Sequence, residues 1–201
     1  MSSTATTLRR PVTLADLLPL ERLAPLVRDA ALIVAGAALT ALSAQVAFTV
    51  PWTPVPYTLQ TGAVLLVGTA LGTIRGALSI LLYVLVGAVG LPVFAEASGG
   101  ASHLIGATGG YLVGFVVAAA IVGRLAEAGW DRTFPRAAGL MLIGTLVVYA
   151  IGVPVLAVVA ELPPAVAIEV GALVFLPSDL AKVAVAALLL PLAWRVAGER
   201  R

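Results

Sequence analysis

An acid and a base lie three residues apart inside the otherwise apolar stretch 175–186: Asp179 and Lys182. An ionised side chain near the centre of a membrane helix costs about 2.5 to 3.5 kcal/mol on insertion scales, so such residues usually face a cavity or each other. A spacing of three residues puts both groups on one helix face. They either neutralise each other or offer one hydrogen-bond acceptor and several donors to a polar solute in a dry pocket. The two residues alone leave both interpretations open.

The composition indicates an all-α integral membrane protein, because 61% of the 201 residues are hydrophobic and only 11% are charged. Soluble domains carry about 25% charged residues. The chain lacks cysteine and has one histidine, His103, which argues against thiolate chemistry and a multi-histidine metal site. Its basic residues are scattered at predicted helix ends and do not form the aromatic-lined basic face of a nucleic-acid binder. We therefore expect no metal and no nucleic-acid partner.

Enzyme signatures are also missing from the sequence. There is no phosphate-binding G-x-x-x-x-G-K-[ST] loop, so the chain is not expected to hydrolyse ATP itself, and there is no H-E-x-x-H zinc motif. Ser102 and His103 are adjacent, which is a poor arrangement for a catalytic dyad, and no second histidine exists to replace His103. We predict that the chain is not an enzyme and has no cofactor of its own.

Six apolar stretches must position the acid and the base. A membrane-crossing helix needs about 20 apolar residues. The predicted spans are 29–50, 58–72, the stretch from the turn at 72–76 to Leu91, 111–125, 137–159 and 178–196. Leucines alternate with charges over 13–27, which predicts a short amphipathic helix at the membrane surface. The predicted organisation is a cytoplasmic N-terminal segment, 1–28, followed by a six-helix membrane domain, 29–197.

The basic residues predict the orientation. If the N-terminus is cytoplasmic, every basic residue except Lys182 falls on the cytoplasmic side, which the positive-inside rule favours. Both termini are then cytoplasmic, in a multi-pass protein of the cytoplasmic membrane. The Pro-rich loop 49–57, the Gly-rich loop 92–110 and the loop before Asp179 lie outside. We therefore expect the acid and the base to face a pocket that opens to the outside.

Polar and aromatic side chains near these outer loops suit a small neutral-to-anionic solute. Rings can form apolar walls with a hydroxyl tip, although anchoring or core packing is the expected role of at least half of them. The candidate binding residues are Thr58, Gln60, Tyr83, Phe94, Tyr111 and Tyr149. The first span also carries small residues at a four-residue spacing, which allows close helix approach either inside the bundle or against a partner protein. These residues are Ala31, Ala35, Ala37 and Ala41.

Five motifs in order along the chain closely resemble the BioY family. They are Val55-Pro-Tyr-Thr-Leu-Gln60, the run from Tyr83 ending Gly-Leu-Pro-Val-Phe94, Ser98-Gly-Gly100, Thr108-Gly-Gly-Tyr-Leu112 and Phe175-Leu-Pro-Ser-Asp-Leu-Ala-Lys182. The resemblance covers about residues 28–196. The family consists of the substrate-binding S-components of biotin transporters of the energy-coupling factor (ECF) type.

The resemblance implies a prokaryotic six-helix S-component that captures biotin from outside and reorients in the membrane to release it. It would pair with a transmembrane coupling subunit and two cytoplasmic ATPases, which hydrolyse the ATP. It places biotin under the outer loops, with Asp179 and Lys182 central and with Ser98, Gly99 and Gly100 in a binding loop. It also associates the small residues of the first helix with docking on the coupling subunit.

Two departures from the family pattern stand out, and the ligand assignment has alternatives. Ser178 replaces a glycine common before the acid, and Glu96-Ala97 replaces a Gly-rich pair, which adds an acid to the loop over the pocket. We hypothesise that Asp179 accepts a ureido N–H of biotin, while Lys182 donates to the ureido carbonyl or orders Asp179. The alternatives are an S-component for another vitamin, or a stand-alone secondary transporter with Asp179 as a proton or ion site.

Overall fold

The computed structural model describes residues 13–18, 20 and 23–198, and within them the protein is mostly helical. The helices are α1 (Pro25–Ala44), α2 (Gln60–Leu71), α3 (Thr73–Ala88), α4 (Ser102–Ile105), α5 (Gly109–Glu127), α6 (Phe134–Val159), α7 (Pro164–Gly171) and α8 (Leu176–Gly198). Four helical segments are long and apolar enough to cross a membrane: α1, α5, α6 and the stretch Pro164–Ala197, which contains α7 and nearly all of α8. The apolar helices α2 and α3 are shorter, at 12 and 16 residues. The prediction of a helical membrane protein is confirmed at this level.

The first span has different bounds from those predicted. Helix α1 begins at Pro25 and ends at Ala44, whereas the prediction was 29–50. Proline is well suited to the first helical turn, because its missing N–H would have no helical partner there. The helix therefore starts before Arg28, which the sequence places in the N-terminal segment. Within the described part of 13–27, the expected amphipathic helix is a single 3-10 turn, Leu14–Leu17, capped by Thr13.

A β-hairpin replaces the predicted Pro-rich loop. Strands β1 (Ala47–Val50) and β2 (Thr53–Thr58) pair antiparallel, with Phe48 opposite Tyr57. Proline cannot donate a ladder hydrogen bond, but a two-stranded hairpin has only edge strands, where proline is tolerated. The Tyr57 hydroxyl donates to the Val174 carbonyl at 2.8 Å. The hairpin is therefore attached to the segment that leads into α8.

Small residues allow the helices to approach closely around α2, which is buried along most of its length. A Cβ added to Gly68 would lie 2.6 Å from the Ala119 carbonyl oxygen of α5, and one added to Gly76 would lie 2.7 Å from the Gly68 Cα. Such contacts stabilise membrane helices through packing, because lipid provides no hydrophobic driving force between them. Helix α2 thus forms the centre of the bundle, between α3 and α5.

We call the end of the bundle that carries the starts of α1 and α3 and the end of α8 the terminal end. There Arg75 of α3 donates to Asp16 at 2.7 Å and lies 3.7 Å from Asp29 of α1. Burial raises the pKa of Asp16, but hydrogen bonds from Arg75 and Thr13 outweigh this effect and hold the pKa below its ordinary value. These contacts fix the Leu14–Leu17 turn to the helical bundle.

A second polar cluster at the terminal end joins α8 to the connection between α5 and α6. The indole of Trp194 donates to the Asp131 carboxylate at 2.6 Å, and the guanidinium of Arg132 lies 4.4 Å above the Trp194 ring. Asp131 is fully buried, and burial raises its pKa against the effect of the Trp194 hydrogen bond. The end of α8 is therefore held by both a hydrogen bond and a cation–π contact.

Candidate functional site

A partly open cavity of about 440 Å³ lies at the opposite end of the bundle, which we call the loop end. It is enclosed by the β-hairpin, α2, α3, the 94–108 segment, α5, α6 and the start of α8. Small-molecule sites typically measure about 300 to 1,000 Å³ and are mostly apolar with a few placed polar groups. The cavity therefore has the size and the character of a site for one small molecule.

Asp179 and Lys182 line this cavity as an ion pair. The Lys182 Nζ lies 2.7 Å from Asp179 Oδ1, and the Tyr149 hydroxyl of α6 donates to Asp179 Oδ2. The Asp179 side chain is 5% exposed and the Lys182 side chain 18% exposed. The two interpretations of this pair are compatible, because the charges neutralise each other and also face the cavity.

The start of α2 contributes a second polar group. The Gln60 side-chain amide donates to the Tyr83 hydroxyl of α3 at 2.6 Å, and the Gln60 backbone N–H donates to Thr58 Oγ1 at 3.1 Å. Because the Tyr83 oxygen accepts this bond, its own hydroxyl hydrogen can be donated elsewhere. Thr58 and Gln60 thus orient a donor on the cavity wall.

Aromatic rings form an apolar wall on the side of the 94–108 segment. The Phe94 ring contacts the Tyr83 ring edge-on at a centroid distance of 5.5 Å and the His103 ring at 5.4 Å. A Cβ added to Gly87 of α3 would lie 2.2 Å from the Phe94 ring. The absence of a side chain at Gly87 is therefore what allows Phe94 to occupy its buried position.

Tyr111 lines the cavity with its ring while its hydroxyl has another function. The hydroxyl donates to the Gly171 carbonyl at the end of α7 at 2.7 Å, and the ring packs on Gly152 of α6, where a Cβ would lie 2.5 Å from it. Tyr111 thus joins α5, α6 and α7 at the loop end. Its contribution to a ligand is the face of the ring.

The turn 93–98, which we call the lid turn, carries four lining residues: Phe94, Ala95, Glu96 and Ser98. The Gln45 side chain, just beyond the end of α1, donates to the carbonyls of Val93 and Phe94 at 3.3 and 3.2 Å and accepts from the Ala97 N–H at 3.1 Å. One amide therefore holds the lid turn on both sides of Glu96.

The structure brings nine of the eleven predicted binding residues together around the cavity. These are Thr58, Gln60, Tyr83, Phe94, Ser98, Tyr111, Tyr149, Asp179 and Lys182. Gly99 and Gly100 do not line it. A Cβ at Gly99 would lie 2.3 Å from the Leu91 carbonyl oxygen, and Gly100 has a φ of +112° and donates to the Gly87 carbonyl at 2.7 Å. Both glycines shape the loop that carries Ser98.

Sequence reasoning did not select several lining residues. Phe115 lies in an apolar stretch where nothing distinguishes a lining ring from a core ring, Phe175 begins the fifth motif but is as apolar as its neighbours, and His103 was considered for metal binding and catalysis. The remaining members that were not selected include Val55, Thr61, Glu96, Ser102 and Thr108. Most of them lie in or beside the resemblance motifs, and that proximity was the available signal.

The small residues of α1 lie on two faces. Ala31 and Ala35 are exposed on the outside of the bundle, whereas Ala37 is buried and Ala41 is half-buried against the core. A Cβ at the neighbouring Gly36 would lie 2.6 Å from the Ser79 hydroxyl of α3, so this face of α1 packs tightly inside the protein. Of the four predicted docking residues, Ala31 and Ala35 are therefore the ones accessible to another protein.

Comparisons with known proteins identify the family. The model of the BioY family matches residues 9–199. A protein of Thermotoga maritima named biotin transporter BioY is 44% identical over 140 residues, which are 70% of this chain and 81% of that protein. A biotin transporter BioY of Rhizobium etli is 38% identical over 143 residues, covering 68% and 76% of the two chains.

A solved structure shares the fold. The crystal structure of an S-component for biotin from an ECF-type ABC transporter covers 84% of this chain and 92% of its own with a TM-score of 0.76, at 22% identity. The named relatives are transporters and not enzymes, which confirms the prediction that this chain is not an enzyme. The chain therefore belongs to the BioY family.

Proposed function

We propose that this protein binds biotin in the loop-end cavity and takes it up as the substrate-binding S-component of an ECF-type transporter. The observation that carries the proposal is the largely buried Asp179–Lys182 pair, which lines a cavity of about 440 Å³ beneath aromatic rings. The relatives named as biotin transporters, and the fold shared with an S-component for biotin, support the choice of ligand.

The cavity groups match the chemistry of biotin. The ureido ring has two N–H donors and a carbonyl acceptor, while the thioether ring and the valerate chain are mostly apolar. Asp179 supplies acceptor oxygens, and Lys182 has three N–H donors, of which one is directed at Asp179. A carboxylate and an ammonium that hydrogen-bond a neutral ligand in a dry site form charge-assisted bonds, which are about twice as strong as neutral ones. The rings of Phe94 and Tyr111 cover the thioether ring.

The proposed topology has six spans with both termini in the cytoplasm. Four segments are long enough to cross, and α2 and α3 are the two shorter apolar helices. Arg75, Arg124 and Arg132 lie at the terminal end and the cavity lies at the loop end, so the positive-inside rule supports a cavity that faces outside. The protein then resides in the cytoplasmic membrane, and its cytoplasmic N-terminal segment lies within residues 1–28.

The proposed partners are a transmembrane coupling subunit and a pair of cytoplasmic ATPases. The sequence has no nucleotide-binding loop of its own, so ATP would be hydrolysed by these partners. The exposed Ala31 and Ala35 give α1 a flat strip on which a helix of the coupling subunit can pack closely. Ala37 and Ala41 support this strip from inside the bundle.

Equilibrium binding of tritiated biotin to the purified protein in detergent tests the proposal. We expect saturable binding that excess unlabelled biotin displaces and that thiamine and riboflavin do not. Asp179→Asn and Lys182→Ala should each weaken it strongly. Asp131→Asn alters a buried acid far from the cavity and serves as the matched control. Wild-type affinity in both cavity variants, or displacement by another vitamin, contradicts the assignment.

A further inference from the structure

The charges that line the cavity are distributed unevenly between its floor and its mouth. Asp179 and Lys182 are largely buried and neutralise each other. Glu96 is exposed on the lid turn. Among the described lining residues Lys182 is the only lysine, there is no arginine, and His103 is the one other basic side chain. The cavity therefore lacks a free cation for an anionic ligand group, and its mouth carries a negative charge.

The backbone of the lid turn holds Glu96 in this position. Glu96 and Ala97 have φ values of 58° and 53°, a left-handed conformation that is uncommon for residues with a side chain. The Gln45 amide bonds the backbone on both sides of Glu96, at Phe94 and at Ala97. Phe94 also donates to the Ser98 carbonyl at 2.9 Å. The acid is thus held at the mouth by a tight, multiply hydrogen-bonded turn.

The orientation of a bound biotin follows from these charges, on the basis of the proposed function. A carboxylate beside Lys182 would also lie beside Asp179, so two negative charges would share one cation in a buried site. The neutral ureido ring can accept from Lys182 and donate to Asp179 without that repulsion. An ionised carboxylate loses much less hydration at an exposed mouth than at a buried floor. The ring therefore occupies the floor and the valerate carboxylate lies at the mouth, on the side of Glu96.

We propose that the cavity recognises the ring system of its ligand and does not recognise the carboxylate, so that its ligand class includes biotin amides as well as free biotin. Replacing the carboxylate by an uncharged amide removes its repulsion from Glu96. It removes no contact with a cation, since the only lysine of the described lining is occupied by Asp179. Glu96 therefore weakens the binding of free biotin relative to that of its amides.

Competition binding with tritiated biotin tests this inference, with unlabelled biotin and biotinamide as competitors. In the wild-type protein we expect the affinity for biotinamide to be at most about threefold lower than the affinity for biotin. Glu96→Gln should improve the affinity for biotin about three- to tenfold, as expected for two charges several ångströms apart in a hydrated mouth. Its affinity for biotinamide should change less than its affinity for biotin, so that the ratio of the two affinities shifts toward biotin, and a Tm equal to that of the wild-type protein reports that the variant is folded.

Glu161→Gln is the matched control. Glu161 is also exposed and also has a positive φ, 53°, but it does not line the cavity. The Glu161→Gln variant removes the same charge at a position away from the cavity, so it should change neither affinity. Biotinamide that binds more than threefold more weakly than biotin overturns the inference, and so does an unchanged ratio of the two affinities in Glu96→Gln. If neither ligand binds the folded wild-type protein, the proposed function itself is refuted.

Discussion

Replacing Lys182 by methionine should destabilise the protein more than replacing both members of the ion pair. Methionine keeps most of the length of the side chain, but it leaves the buried Asp179 with the Tyr149 hydroxyl as its remaining partner among the described residues. Breaking a buried pair on one side costs about 3 to 5 kcal/mol, because a buried charge is left uncompensated. Lys182 is partly exposed, so we expect the lower end of this range, about 3 kcal/mol.

The double variant Asp179→Asn/Lys182→Met separates stability from binding. It has no buried charge at this position, and the asparagine can still accept from Tyr149, so its stability should recover to within about 1 kcal/mol of wild type. Biotin binding should not recover with stability: both the single Lys182→Met variant and the double variant should bind biotin poorly. We expect both to lose at least about 100-fold in affinity, because truncating one partner of a buried, hydrogen-bonded charge pair costs several kcal/mol.

Thermal unfolding in detergent, followed by intrinsic tryptophan fluorescence, measures the stability of the three proteins. A loss of about 3 kcal/mol corresponds to a fall in Tm of roughly 6 to 12 °C for a chain of this size. A Lys182→Met variant as stable as the double variant would refute the reasoning, because Asp179 would then not depend on Lys182. Retained biotin binding in the double variant would show that the charges serve only the fold.

Three further predictions concern the cavity wall, the lid turn and the terminal end. Gly87→Ala should push Phe94 from its buried site and weaken biotin binding about tenfold, whereas the control Gly139→Ala, whose nearest contact would be 3.7 Å away, should bind normally. Gln45→Ala should raise the biotin dissociation rate about three- to tenfold, since each lost hydrogen bond is worth about 1 kcal/mol; an unchanged rate would show that the lid turn holds without it. Because the folded-state pKa of Asp16 is lowered, its contribution to stability should be complete above its unfolded-state pKa of about 4 and fall as the pH drops below that value. The free energy of unfolding should fall less between pH 6 and pH 3 in Asp16→Asn than in the wild-type protein, and identical pH profiles would exclude this contribution.

The general architecture was predictable because a membrane requires a simple pattern. Long apolar runs separated by charged turns located α5, α6 and α8 to within a few residues. An apolar run does not show where a helix changes into a strand, however. Residues 47–50 are as apolar as the helix before them, so the pattern predicts a longer first span, and the prolines of 53–58 predict a loop although they lie in an edge strand.

The cavity was predictable where a residue contrasts with its surroundings. Asp179 and Lys182 stand out because charge is costly in lipid, whereas Phe115 and Phe175 do not differ from the apolar residues beside them. Membership of a motif was a weaker guide to the cavity lining: Ser98 lines it, but Gly99 and Gly100 support it through close backbone contacts. The four-residue spacing of alanines on α1 likewise did not distinguish the outer face at Ala31 from the buried face at Ala37.

Structure determination of the purified protein with biotin bound tests the central claim most directly. The account predicts one biotin in the loop-end cavity, with ureido nitrogen and oxygen atoms within hydrogen-bond distance of Asp179 and Lys182 and with the carboxylate at the mouth near the lid turn. Biotin bound outside this cavity, or with its carboxylate on Lys182 and its ureido ring at the mouth, would contradict the account.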